Sequence, residues 1–236
     1  MNIHTFPTDQ LAREAGNTLN KKLEELKDVP TLLLLSGGSA LSILDFLDPN
    51  LATEKLTISV FDDRFASDPK QNNFCLLKET DFFKKNVARG ARHIDTSLSS
   101  GISLEDFGRQ FETNIKNWLH SNPSGAIIAT MGVGPDGHTG GMMPYPEDPH
   151  RFNELFESEA LAVGYNALEK NPFSERITVT MTFIKKYLKS SIVYMSGENK
   201  RESLNKIIQG TETLAAAPCG IIKEIPEAQI FTDITL

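Results

Sequence analysis

The chain has 236 residues, a formal net charge of −7, an apolar fraction of 39% and two cysteines, Cys75 and Cys219. A chain of this length buries roughly 70–75% of the surface its unfolded form exposes, so it needs no disulfide framework, and its apolar fraction is that of a folded protein. The acidic balance and the lack of a basic cluster exclude nucleic acid as the main partner, no apolar run is long enough to span a membrane, and the N-terminus lacks a signal-peptide pattern, so a reducing, cytoplasmic setting is expected.

Leu11, Ala15, Leu19, Leu23 and Leu26 recur three or four apart and predict a helix over 8–28, with Thr8 as its N-cap. Residues 31–35 are a short apolar run of the kind buried on both faces of a parallel sheet. The turn Ser-Gly-Gly-Ser at 36–39 follows, then a helix-like stretch to Leu47. A second strand spans 56–61, a polar loop runs from Asp62 to Gln71, and 72–83 reads as a helix with Cys75 on its core face. Over 103–120 a stronger helix is predicted: Ser103 and Asp106 resemble a capping box, and Leu104, Phe107, Phe111 and Ile115 continue to Trp118 or Leu119 along one face. Residues 125–131 form another buried-type strand. Further strands are expected at 160–166, 176–181, 191–197 and 229–234, with a short helix near 182–188 and a helix over 198–210 closed by Gly210.

This alternation predicts an α/β fold whose mostly parallel sheet is covered on both faces. No linker, repeat or low-complexity segment divides the chain, so residues 1–236 are expected to form one domain. Parallel sheets bind ligands beyond the carboxyl ends of their strands, which directs attention to the turns at 36–39, 62–65, 132–141 and 197–200.

The third of these begins Gly-Val-Gly-Pro-Asp-Gly at 132–137 and matches the dinucleotide-binding pattern G-x-G-x-x-G. That fingerprint also requires a helix starting within it, and here Gly140, Gly141, Pro144, Pro146 and Pro149 predict a long loop instead. The continuation is more informative. Asp136 and His138 stand two apart at the end of a strand, and a histidine there can take and return a proton near neutrality. The same pair would also serve as an ordinary turn-capping Asp and a solvated His.

The other turns add anion chemistry. Gly37, Gly38 and Ser39 lie between a strand and a helix, where main-chain N–H groups make an anion site; the Lys of a nucleotide-triphosphate loop is missing. Asp62, Asp63 and Arg64 stand together after a strand, two carboxylates for sugar hydroxyls and a guanidinium for negative charge. Arg176 starts a strand, and Lys200 sits in the first turn of a helix, against the helix dipole unless an anion compensates it. His4, His93, His120 and His150 are scattered without metal-ligand spacing.

The strings LLLSGGS, FDDRF…NNF, MGVGPDGHTGGMMP, ERITVTM and SGENK, in this order over most of residues 31–201, resemble the 6-phosphogluconolactonases. The tail departs from the family pattern, and Asp-Asp-Arg replaces a more usual Asp-Glu-Arg. The resemblance implies a Rossmann-like three-layer αβα fold, shared with sugar-phosphate isomerases and glucosamine-6-phosphate deaminases. It implies hydrolysis of a small sugar-phosphate lactone, 6-phosphogluconolactone, in the oxidative pentose phosphate pathway, with no metal or organic cofactor. His138 is then the general base with Asp136 beside it; Gly37, Gly38, Ser39, Arg176 and Lys200 bind phosphate; and Asp62, Asp63 and Arg64 line the sugar end. Either Arg64 or glycine N–H groups would stabilise the oxyanion. The rival readings are a deaminase and a non-catalytic sugar-phosphate sensor. Deaminases resembling this fold carry a glutamate five residues after the histidine, where this chain has Met143; their first loop tends to read Thr-Gly-Ser and their second Asp-Glu-Tyr. No motif speaks to oligomeric state.

Overall fold

The computed structural model describes residues 1–51, 53–98 and 101–235. The chain opens with β1 (Asn2–Thr5) and α1 (Thr8–Glu25), whose Leu11, Ala15, Leu19 and Leu23 are buried as their spacing requires. The N-cap of α1 is Pro7 rather than Thr8. Thr8 lies in the first turn, and its hydroxyl donates to Asp233 Oδ2 at 2.8 Å. Then come β2 (Thr31–Leu35), a 3-10 helix (Gly38–Phe46) in place of the helix-like stretch, and β3 (Leu56–Val60). The polar loop expected from Asp62 contains a short strand, β4 (Asp62–Arg64).

The helix expected over 72–83 is two helices, α2 (Asn73–Glu79) and α3 (Asp81–Ala88). Thr80 separates them: its backbone is extended (φ −71°, ψ 148°) and its hydroxyl caps α3 by accepting from Phe83 N at 3.2 Å. Cys75, read as core, is only half-buried. After β5 (Arg92–His93), α4 (Leu104–Ser121) begins as predicted, Ser103 Oγ accepting from Asp106 N at 3.1 Å. The chain continues through β6 (Ala126–Gly132), α5 (Pro149–Phe156), β7 (Ala162–Asn166), β8 (Glu175–Val179), α6 (Met181–Tyr187), β9 (Leu188–Met195), α7 (Arg201–Gln209) and β10 (Glu227–Thr232). No helix starts inside the glycine motif; the first one after it opens at Pro149.

Seven strands form one parallel sheet in the order β1-β10-β9-β6-β2-β3-β5. Alternation along β2 builds both faces: Leu33 and Leu35 pack with α1, α2 and α3, while Leu32 and Leu34 pack with α4, α6 and α7. The result is the three-layer αβα arrangement. The segments at 160–166 and 176–181 do not join this sheet; β7 and β8 pair antiparallel, with β4 on the other edge of β8. From β2 the chain moves outward through β3 to β5, then returns to β6 on the other side of β2 and moves through β9 to β10. The strand order therefore reverses between β2 and β6, and the crevice beyond their carboxyl ends is the expected ligand position. Among the described residues, no helix is long and apolar enough to cross a membrane.

Candidate functional site

The turns after β2 and β6 meet at that crevice around a cavity of about 240 Å³. Gly37, Gly38 and Ser39 line it from the first turn, and His138 from the second. Asp62 and Arg64 of β4, Arg176 of β8, and Lys200 after β9 complete the polar wall. Gly38 has φ +65°, a conformation glycine adopts without penalty, and it opens the 3-10 helix so that its N–H and that of Ser39 have no acceptor within the helix.

Asp136 stands behind His138 rather than in the wall. Its Oδ1 accepts from His138 N at 3.2 Å and lies 2.5 Å from His138 Nδ1. Burial pushes the Asp136 carboxyl up, but the hydrogen bond and charge of His138 outweigh it and hold the group below the usual carboxylate range. An ionised carboxylate only accepts, so Nδ1 carries the proton and Nε2 is the basic atom of the ring. Gly134 makes room for this pair: a Cβ there would lie 2.1 Å from His138 Cε1. The loop is braced from below, where Ser203 Oγ donates to Gly134 O at 2.7 Å and Cys219 N donates to Gly137 O at 2.9 Å. Burial pushes the Cys219 thiol up to about 12, which makes it a packing residue rather than a nucleophile.

Asp62 and Arg176 form a buried ion pair, Arg176 Nη2 donating to Asp62 Oδ2 at 2.7 Å. Arg64 and Arg176 are direct cross-strand partners, an arrangement of like charges that favours an anion between or beside them. Burial makes the Arg64 guanidinium less basic than usual, with Asp62 opposing and Arg176 adding to the effect. Arg64 also stacks 4.4 Å from the centre of the Phe173 ring, and its Nη1 donates to Gln71 O at 3.2 Å. Lys200 is likewise lowered by burial, against the pull of Asp233. Three cations and one carboxylate thus face a cavity in a chain whose net charge is −7.

Asp63, expected at the sugar end, does not reach the cavity. It is 0% exposed and accepts from Arg64 N, Asn73 N, Phe74 N and Thr96 Oγ1 at 2.6–3.2 Å. Its neighbours in sequence face the opposite way because β4 is a strand, in which alternate side chains point to opposite faces. Asn73 and Ser36, two uncharged residues outside the expected site, also line the cavity. A signal for Asn73 existed: Asn72 caps α2 by accepting from Cys75 N at 2.8 Å, so the second asparagine has no capping role. Met143 is fully buried and does not line the cavity. Among the described residues, no group of three or more His, Cys, Asp or Glu side chains is arranged to hold a metal ion.

A family model for glucosamine-6-phosphate isomerases/6-phosphogluconolactonase matches residues 7–231. A glucosamine-6-phosphate deaminase from Bacillus thuringiensis is 24% identical over 238 residues, covering 99% of this chain and 87% of the relative. A 6-phosphogluconolactonase structure from Shewanella baltica superposes with a TM-score of 0.77 at 20% identity, covering 98% of this chain and 96% of the other. A monomeric glucosamine-6-phosphate deaminase superposes with a TM-score of 0.73 at 19% identity, covering 98% and 97%. Both kinds of enzyme share this fold.

Proposed function

The chain belongs to the glucosamine-6-phosphate isomerase/6-phosphogluconolactonase family, and from that premise we propose that it hydrolyses 6-phosphogluconolactone to 6-phosphogluconate, acting as one domain over residues 1–236 in the cytoplasm. The observation that carries the reading is the imidazole of His138, fixed through Nδ1 on an ionised Asp136 at the edge of a cationic cavity. His138 Nε2 takes a proton from a water that attacks the lactone carbonyl, and the resulting imidazolium is held by Asp136. Arg64, with main-chain N–H groups of the glycine turns, stabilises the tetrahedral oxyanion. The imidazolium then returns the proton to the departing ring oxygen, so that the lactone opens to a carboxylic acid and a hydroxyl, and the acid gives up its own proton to solvent. Gly37, Gly38, Ser39, Lys200 and Arg176 hold the phosphate and orient the carbonyl, and Asp62 fixes Arg176. The scheme uses no metal and no organic cofactor.

The second reading, amine release from glucosamine 6-phosphate, is favoured by the sequence relatives at 24% identity. Isomerisation with amine release requires proton transfers at adjacent carbons in addition to ring opening. Among the described residues the one carboxylate in the cavity wall, Asp62, is committed to Arg176, and position 143 carries a buried Met in place of the glutamate that the deaminase resemblance implies. The lactonase reading is tested by His138→Ala, which is expected to lower kcat for lactone hydrolysis about 10²–10⁴-fold. Wild-type turnover in that variant removes His138 from the reaction.

A further inference from the structure

Two buried polar side-chain atoms at the cavity, Ser36 Oγ and Asn73 Oδ1, have no partner among the described residues and no part in the chemistry above, and of the two only the amide oxygen is a pure acceptor. Asn73 opens α2, is 2% exposed and lines the cavity. Its Nδ2 donates to the main-chain oxygen of Asp62 at 3.0 Å, and its Oδ1 has no partner among the described residues. The bond to Asp62 sets the orientation of the amide: turned over, it would press Oδ1 against a carbonyl oxygen. Its place is equally defined. A Cβ built on Gly37 would lie 2.2 Å from Asn73 Oδ1, so this acceptor sits against the glycine turn, on the side of Asp62.

The other polar groups lining the cavity are mostly donors, namely Arg64, Arg176, Lys200, the Ser36 hydroxyl and the N–H groups of the glycine turn. A phosphate oxygen or a lactone carbonyl has no proton to offer an amide oxygen. A sugar hydroxyl has one, and a buried acceptor without a donor is unfavourable until it receives one. We propose that Asn73 Oδ1 accepts a hydrogen bond from a hydroxyl on the carbon chain of the sugar phosphate, making Asn73 a specificity-determining residue that rejects deoxygenated substrates. The proposal rests on the sugar-phosphate reading of the cavity and adds the protein atom that reads the sugar.

The test is calorimetric binding of 6-phosphogluconate and its 2-, 3- and 4-deoxy analogues to the wild type, Asn73→Ala and Asn73→Ser. The wild type is expected to bind at least one analogue about tenfold more weakly than the parent. Both variants are expected to lose that discrimination while still binding the parent. Equal binding of all four ligands by the wild type overturns the proposal without recourse to a variant. Discrimination that survives in Asn73→Ala overturns it as well, with the sugar-phosphate reading intact. Failure of the wild type to bind 6-phosphogluconate at all removes that reading and this proposal together.

Discussion

His138 and Asp136 are two residues apart, and the turn between them places the carboxylate on Nδ1. Asp136→Asn replaces an acceptor-only group by one that can also donate, so the tautomer is no longer fixed. The expected result is a fall in kcat of about 10²–10⁴-fold with KM little changed, read from steady-state lactone hydrolysis. The residues proposed to bind phosphate separate by burial. Arg176→Ala strands the Asp62 carboxylate, whose side chain is 7% exposed, and is expected to cost about 3–5 kcal/mol in urea unfolding. Among the described residues the Lys200 side chain has no hydrogen bond or ion pair to lose, and its main-chain N–H bond to Gly197 O survives truncation, so Lys200→Ala is expected to raise KM for phosphorylated substrate with no loss in the unfolding midpoint. These residues were legible because each follows or starts a strand and carries charge. Asn73 was less so: it carries no charge, and its one mark is that Asn72 already supplies the cap of α2.

At the scale of elements, the short strand β4 decides what Asp-Asp-Arg does. Read as a loop, the two aspartates looked equivalent; as a strand, Asp62 and Arg64 share the cavity face while Asp63 turns inward to join β4, the start of α2 and Thr96. Strand β4 was invisible in sequence because its pairing partner, β8, lies more than a hundred residues away. The two-helix break at Thr80, by contrast, had a local signal in Thr80-Asp81, a cap followed by an acidic first turn. Burial raises Asp63 to about 7 against the pull of its four donors. A carboxyl that binds its proton more tightly when folded favours folding most below its unfolded pKa of about 4, and that contribution is lost as pH rises toward 7. The wild type is therefore expected to lose stability between pH 4 and 7 relative to Asp63→Asn, whose residue 63 does not titrate. Parallel urea titrations across that range check the slope, and equal slopes would place the Asp63 titration outside it.

For the whole molecule, the parallel sheet and the position of the site followed from alternating helices and buried strands, since ligands collect where strand order reverses. The cavity draws on all four turns singled out on that argument, at 36–39, 62–65, 132–141 and 197–200. The separate antiparallel sheet of β4, β7 and β8 was not legible, because short strands carry no mark of which partner they join. Lactonases and deaminases alike have this fold, and the family model covers both kinds of enzyme, so the side chains must decide between the reactions. The most direct measurement is a paired assay of one wild-type preparation: hydrolysis of 6-phosphogluconolactone above its spontaneous rate, and ammonia release from glucosamine 6-phosphate. Accelerated lactone opening that is lost in His138→Ala, with no ammonia released, is the expected result. Ammonia release without accelerated lactone opening would overturn the lactonase reading.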